Sequence, residues 1–113
     1  MTDRAPGYVD GGRTWGVSRH PGAVAWVEAQ GVRADRVVAH LDVDSLRPGD
    51  TVVGTLPVHM AAAVQARGAR YLHLALDLPP QARGVELSAE DMARYGARLV
   101  EARVSLHPWR HPG

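Results

Sequence analysis

With 113 residues, the chain is long enough for one compact domain and short for two. Its net charge of +1 argues against generic binding to long nucleic acid or to an anionic membrane. The absence of cysteine excludes disulfides, thiolate catalysis and Cys-based zinc or iron–sulfur sites. All 13 basic residues are arginine, so arginine, histidine or backbone amides must hold any bound anion.

The apolar residues predict a small aliphatic core. Phenylalanine is absent and the aromatic residues are three Trp and three Tyr, so Val, Leu and Ala must fill most of the interior. Because such side chains bury little area each, a homodimer that buries further surface is expected. No apolar run approaches the ~20 residues of a membrane helix, and the N-terminus lacks an apolar signal core. A soluble, cytoplasmic protein without membrane contact is therefore expected.

The first half of the chain predicts three strands and one helix. The first strand covers Arg13–Ser18, and a helix at Pro21–Gln30 follows. Proline suits the first turn of this helix, and Gly31 suits its end. The segment RVVAHL, Arg36–Leu41, predicts the second strand. After a Pro-Gly turn, TVVGT at Thr51–Thr55 predicts the third.

The second half predicts two more helices and two more strands. A second proline-initiated helix covers Pro57–Arg67, and RYLHLAL at Arg70–Leu76 predicts the fourth strand. After a loop with two prolines, Ser88 matches the N-cap of a capping box and predicts a helix to about Tyr95. Alternation of apolar and polar residues over Val100–Leu106 predicts a final half-buried strand.

This element order predicts an α/β fold: a small Rossmann-like three-layer domain with a mainly parallel central sheet. The Val-rich second and third strands, around Val37–Val38 and Val52–Val53, are typical of strands buried on both faces. The domain is expected over residues 13–106, between a flexible N-terminus (1–12) and a flexible tail (107–113). Ligands of such sheets gather at the carboxyl ends of the strands.

Polar residues follow the first and third predicted strands, directly before helices. Free N–H groups at helix N-termini attract anions, and phosphate is the ligand that fits best. The candidate catalytic residues are Arg19, His20 and His59, and the candidate ligand-binding residues at these junctions are Ser18, Gly22, Thr55, Leu56 and Pro57.

Several of these residues have a simpler structural interpretation. Ser18 could only cap the helix, and His59 could pack against the Ala-rich face of its own helix. His40 and His73 lie inside predicted strands and are interpreted as core histidines. The six histidines show no ligand spacing, so no metal site and no cofactor are expected.

The loop DLPPQARG, Asp77–Gly84, follows the fourth strand and should lie on the ligand side. Its prolines restrict its conformations, while Arg83 offers a movable charge. This combination suits a lid in which Asp77 and Arg83 contact the ligand. An ordinary proline-rich connector is the alternative.

Two long segments together resemble a small CRISPR-associated accessory family that accompanies type III systems. They are SRHPGAVAWVEAQG and HLDVDSLRPGDTVVGTLPVHMAAAVQARGARYLHLALDLPPQARGVELSAEDMARYGARL. The resemblance covers about residues 14 to 105. It is more specific than the similarity of SRHPG to the Arg-His-Gly motif of histidine phosphatases, whose fold needs a larger domain.

The resemblance implies a minimal relative of CARF domains, which bind cyclic oligoadenylate second messengers. It implies a homodimeric ring nuclease that cuts cyclic tetra-adenylate by metal-independent attack of the ribose 2′-hydroxyl and ends the antiviral signal. A non-catalytic messenger-binding protein, acting as a sponge or sensor, would need the same pocket. A protein-interaction subunit would need no nucleotide affinity.

Overall fold

The computed structural model describes residues 12–112, which form an α/β domain around one five-stranded sheet. This confirms the predicted fold class. All but the last residue of the N-terminal segment predicted to be flexible lies outside the described residues. The strands are β1 (Thr14–Val17), β2 (Arg36–Val38), β3 (Thr51–Gly54), β4 (Arg70–Ala75) and β5 (Arg98–Ala102). The helices are α1 (Pro21–Ala29), α2 (Val58–Ala66) and α3 (Ala89–Arg94), with short 3-10 turns at Val43–Ser45 and Pro80–Ala82.

The sheet has the strand order β2-β1-β3-β4-β5. The pairs β1–β2, β1–β3 and β3–β4 are parallel, and β5 runs antiparallel to β4. The mainly parallel sheet is thus confirmed. Every residue of β3 is buried, as its Val-rich sequence predicts for a strand covered on both faces.

The two faces of the sheet carry separate apolar clusters, which produce the three layers. On one face, Trp26 and Val27 of α1 and Met92 of α3 pack against Val53 and Leu74. On the other face, α2 packs against the sheet through Ala61 and Val64, which contact Val52, Tyr71 and Leu46. No helix within residues 12–112 is both long and apolar enough to cross a membrane.

Two strand predictions are wrong in detail. β2 ends at Val38 rather than Leu41 and lies at the edge of the sheet, where Val37 is 49% exposed instead of buried on both faces. It is short because β1, its neighbour in the sheet, ends at Val17. β5 spans Arg98–Ala102, and the apolar alternation continues beyond it over residues 103–106 without strand pairing.

A buried carboxylate fixes the amino ends of the central strands. Asp50 is 3% exposed and accepts hydrogen bonds from the backbone N–H groups of Arg13 (2.9 Å) and Arg47 (3.0 Å) and from the Trp15 indole (3.2 Å). Burial alone would raise the pKa of Asp50. The donors of Arg47, Arg13 and Trp15 outweigh it and hold the pKa below its ordinary value of 3.8. Asp50 therefore ties β1 to the turn before β3 as an ionised group.

Asp50→Asn is expected to destabilise the fold by about 3 kcal/mol at pH 7, because an amide cannot accept from all three donors. A lowered folded-state pKa adds stability above the unfolded pKa and loses it as the pH falls through the folded pKa. In urea unfolding followed from pH 7 to pH 2.5, the difference between wild type and variant should therefore shrink below about pH 4. A constant difference across this range would contradict the role of the charge.

Candidate functional site

A cavity of about 750 Å³ lies at the carboxyl ends of the parallel strands. β1 and β3 are neighbours, and the helices that follow them pack on opposite faces of the sheet. Such a switch point opens a crevice at the strand ends, where ligands of open α/β sheets bind. The ends of β1, β3 and β4, one side of α1 and residues 84–87 before α3 line this cavity.

The cavity combines apolar walls with a few polar groups. Most of the wall is aliphatic, with Val17, Val24, Val27, Leu74, Leu76 and Leu87 among the lining residues. The polar side chains are those of Ser18, Arg19, His20, Glu28, Thr55 and Glu86. This composition, apolar surface with a few convergent polar groups, is typical of small-molecule sites. The charged groups include both signs, so the ligand that fits is one with anionic groups and with hydrogen-bond donors.

The turn after β1 presents Arg19 and His20 at the foot of α1. Ser18 Oγ accepts from the His20 N–H (3.0 Å), so Ser18 stabilises the turn itself and does not cap the helix. His20 occupies the N-cap position and its side chain makes no capping hydrogen bond. The proline that begins α1 has no N–H, and the Ala23 N–H donates to the His20 carbonyl (3.1 Å). The first turn therefore offers an anion the Gly22 N–H and the positive end of the helix dipole.

The turn after β3 contributes Thr55 to the cavity but not Leu56 or Pro57. The Leu56 N–H donates to the Tyr71 hydroxyl (2.8 Å), which in turn donates to the Gly54 carbonyl (3.1 Å). Burial raises the pKa of Tyr71 above its ordinary value, against the opposing Leu56 N–H, so the phenol stays neutral. The Leu56 amide is thus already paired within the protein.

The structure places His59 away from the cavity. It lies in the first turn of α2, on the opposite face of the sheet from α1, and lines a second groove with Ala62, Ala63 and Leu106. The catalytic residues predicted from sequence therefore do not all meet in one chain. Arg19 and His20 share the cavity, and His59 does not.

Leu78 and Gly84 of the predicted lid line the cavity, but Asp77 and Arg83 do not. Asp77 forms an ion pair with Arg98 (3.3 Å), and its N–H donates to the Tyr95 carbonyl (2.8 Å). Arg83 is exposed at the end of a 3-10 turn, and the residues directly after it form part of the cavity wall. Closure of this segment over a ligand, and contact of Asp77 and Arg83 with that ligand, stay predictions.

Gly22 is a point of close contact between α1 and the segment before α3. A Cβ at this position would lie 2.0 Å from the Leu87 carbonyl oxygen, so only glycine allows the two backbones to approach this closely. The capping box predicted at Ser88 is present and fixes the start of α3 next to this contact. Gly22 thus shapes the cavity wall, and its role in ligand binding stays a prediction.

Sequence reasoning missed His40, which is not a strand residue of the core. It is exposed beyond the carboxyl end of β2, and its Nε2 lies 2.7 Å from Nη2 of Arg19. The rule that identified Arg19 and Thr55, a polar residue following an apolar strand, also identifies His40 once β2 ends before it. His73, by contrast, is partly buried and contacts the Tyr71 hydroxyl through Nδ1 (2.8 Å).

Two carboxylates of the cavity, Glu28 and Glu86, were also not identified from the sequence. Glu28 belongs to the last turns of α1, and Glu86 to the segment before α3. Neither residue follows a strand, so the rule used on the sequence does not select them. They come to the same cavity only when the chain folds. Within residues 12–112, no three histidine or carboxylate side chains are grouped closely enough to hold a metal ion.

A comparison with protein families places most of the chain in a family. Residues 15–105 match the family described as "Putative CRISPR-associated protein (Cas_VVA1548)". This range contains every residue of the cavity lining and both strand-to-helix turns. Comparisons with curated proteins and with solved structures return no match.

Gly22→Ala is expected to destabilise the fold by about 1 to 3 kcal/mol, because the new methyl group collides with the Leu87 backbone. Helix propensity alone predicts the opposite sign, a gain of about 1 kcal/mol. Gly16→Ala is the matched control: its Cβ would meet Ala34 at 3.4 Å, an ordinary contact, so its effect should stay within about 0.5 kcal/mol. Urea unfolding at pH 7 measures both, and a stabilised Gly22→Ala would contradict the contact.

Proposed function

Because the chain belongs to the Cas_VVA1548 family of CRISPR-associated proteins, we propose that it is a ring nuclease of type III systems. It binds cyclic oligoadenylate, with cyclic tetra-adenylate as the preferred ring, and cuts it without a metal ion. The observation that carries this proposal is the cavity at the carboxyl ends of β1 and β3, where Arg19 and His20 meet apolar walls.

A phosphate of the ring would bind at the turn after β1. Arg19 lines the cavity and its guanidinium matches the geometry of phosphate oxygens. The first turn of α1 adds the Gly22 N–H and the positive end of the helix dipole. A phosphodiester held here lies within reach of His20, which precedes the helix.

The apolar part of the cavity would hold an adenine base. A purine is flat and buries favourably against aliphatic side chains such as Val24, Val27 and Leu74. Its exocyclic amine is a hydrogen-bond donor, and the carboxylates of Glu28 and Glu86 are acceptors in the same cavity. The mixture of one guanidinium and two carboxylates fits an adenylate better than it fits a simple polyanion.

A homodimer would complete the site. A ring of four nucleotides has two-fold symmetry, and a two-fold pair of domains would present two copies of the β1 and β3 ends to it. Each protomer would then bind one half of the ring.

The chemistry requires alignment of the ribose 2′-oxygen with the phosphorus and the leaving 5′-oxygen. Attack forms the 2′-O–P bond and breaks the P–O5′ bond, leaving a 2′,3′-cyclic phosphate and a 5′-hydroxyl. Positioning can supply about 7 to 11 kcal/mol of the barrier. Arg19 would stabilise the charge that develops on the phosphorane, and His20 would take the 2′-proton or protonate the leaving oxygen.

A binding protein without catalysis is the second candidate, and the position of His59 favours it. With His59 on the opposite face, one chain brings a single histidine, His20, to the cavity. General acid–base cleavage by two imidazoles would then need a second protomer or one of the cavity carboxylates. A sponge needs only the pocket.

Incubation with cyclic tri-, tetra- and hexa-adenylate in EDTA, followed by chromatography, tests the proposal. The expected result is conversion of cyclic tetra-adenylate to linear products that end in a 2′,3′-cyclic phosphate, with light scattering giving a dimer mass. Retention of intact ring on the protein would identify a sponge. Neither binding nor cleavage would overturn both nucleotide functions.

Arg19→Ala is expected to slow cleavage by about 10² or more, because Arg19 would stabilise charge that forms mainly in the transition state. His20→Ala should slow it by about 10² to 10⁴, the range of a lost general acid or base. Both residues are exposed, so both variants should fold. Arg33→Ala removes an exposed arginine outside the cavity and should cut at the parent rate. If Arg19→Ala and His20→Ala both cleaved the ring at the parent rate, the assignment of the active site would be wrong.

A further inference from the structure

Arg19 and His40 meet because the β1–β2 ladder continues one step beyond the strands. Val17 pairs with Val38 in register, and the next N–H, that of Ser18, donates to the Val38 carbonyl (3.0 Å). The segments that follow β1 and β2 therefore leave the sheet side by side. Arg19 lies on the segment after β1 and His40 on the segment after β2. Nη2 of Arg19 lies 2.7 Å from Nε2 of His40.

The hydrogen bond between the two side chains has only one possible direction. A guanidinium carries donors and no acceptor, so Arg19 Nη2 donates and His40 Nε2 accepts. The imidazole proton must then reside on Nδ1. The contact uses one of the five N–H groups of Arg19 and leaves the others free for phosphate oxygens.

The two residues stand in different relations to the cavity. Arg19 lines it, whereas His40 is not among the lining residues and contacts Arg19 from the segment after β2. A long arginine side chain exposed to solvent has many rotamers, and holding it in one of them removes an entropic cost from reaching the transition state. A histidine that accepts from the guanidinium outside the cavity lining supplies such a restraint without lining the ligand site.

We infer that His40 is a positioning residue that holds the Arg19 guanidinium toward the phosphate of the bound ligand. This inference rests on the proposed function, since it assigns to His40 an effect on phosphodiester cleavage that acts through Arg19. It also accounts for a histidine two residues after the end of β2, where the chain continues as a surface loop.

A double-mutant cycle tests the inference. His40→Ala should lower kcat by about tenfold and change KM less than about twofold, because the misplaced guanidinium acts mainly in the transition state. In the Arg19→Ala background, His40→Ala should lower kcat by less than about twofold, because the guanidinium that His40 positions is absent. His40→Gln should restore at least half of the parent kcat, because its amide oxygen can accept from Arg19 at the place of Nε2. His111→Ala, an exposed histidine of the C-terminal segment, is the matched control and should leave kcat unchanged.

Two kinetic outcomes would overturn the inference. An equal loss from His40→Ala with and without Arg19 would mean that His40 acts independently. A parent rate in His40→Ala would mean that the contact has no consequence for the reaction.

A spectroscopic measurement separates failure of the inference from failure of the proposed function. ¹⁵N NMR of imidazole-labelled protein at pH 8, above the range in which free imidazoles titrate, reports the tautomer directly. His40 should carry its proton on Nδ1, and Arg19→Ala should shift the His40 Nε2 signal while the His111 signals stay in place. If the protein gives this result but does not cut the ring, the hydrogen bond between Arg19 and His40 is confirmed and only the nuclease proposal fails. A proton on Nε2, or no response to Arg19→Ala, overturns the pair itself.

Discussion

The departure of α1 and α2 from adjacent strands toward opposite faces of the sheet is the constraint on which the site depends. Val17 and Gly54 are in register at the ends of β1 and β3, and the chain separates beyond them. A Cβ on Gly54 would lie 2.8 Å from the Val17 carbonyl, so glycine keeps the two strand ends this close. Because α1 covers one face of the sheet and α2 covers the other, neither helix covers the gap between the ends of β1 and β3. The cavity lies at this gap, where the strand order reverses.

The two ends of the sheet use polar groups in different ways. At the amino ends, Asp50 is buried and three donors satisfy its carboxylate, so its charge stabilises the fold. At the carboxyl ends, Arg19, His20 and His40 are exposed, and the His20 side chain at the N-cap of α1 makes no capping hydrogen bond. Polar groups that are fully paired inside the protein cannot bind a ligand, whereas those at the open end can.

The walls of the cavity are held in place by hydrogen bonds from outside it. The Tyr71 hydroxyl bridges Leu56 and Gly54 and so fixes the turn after β3. The capping box at Ser88 fixes the start of α3, and the contact of Gly22 with Leu87 sets its distance from α1. These supports lie on both faces of the sheet, so the protein's own contacts set the shape of the cavity.

The sequence by itself determined the element order, the buried β3, the capped start of α3 and the turn that carries Arg19 and His20, because apolar periodicity, capping and proline placement act over a few residues. Tertiary structure alone decided that β2 stops at Val38, since strand length depends on its partner. It also decided that His40 meets Arg19 while His59 faces away, because side chains far apart in sequence meet only through the strand order. Local patterns carry no information on which face of the sheet each helix covers, and that choice assembles the site.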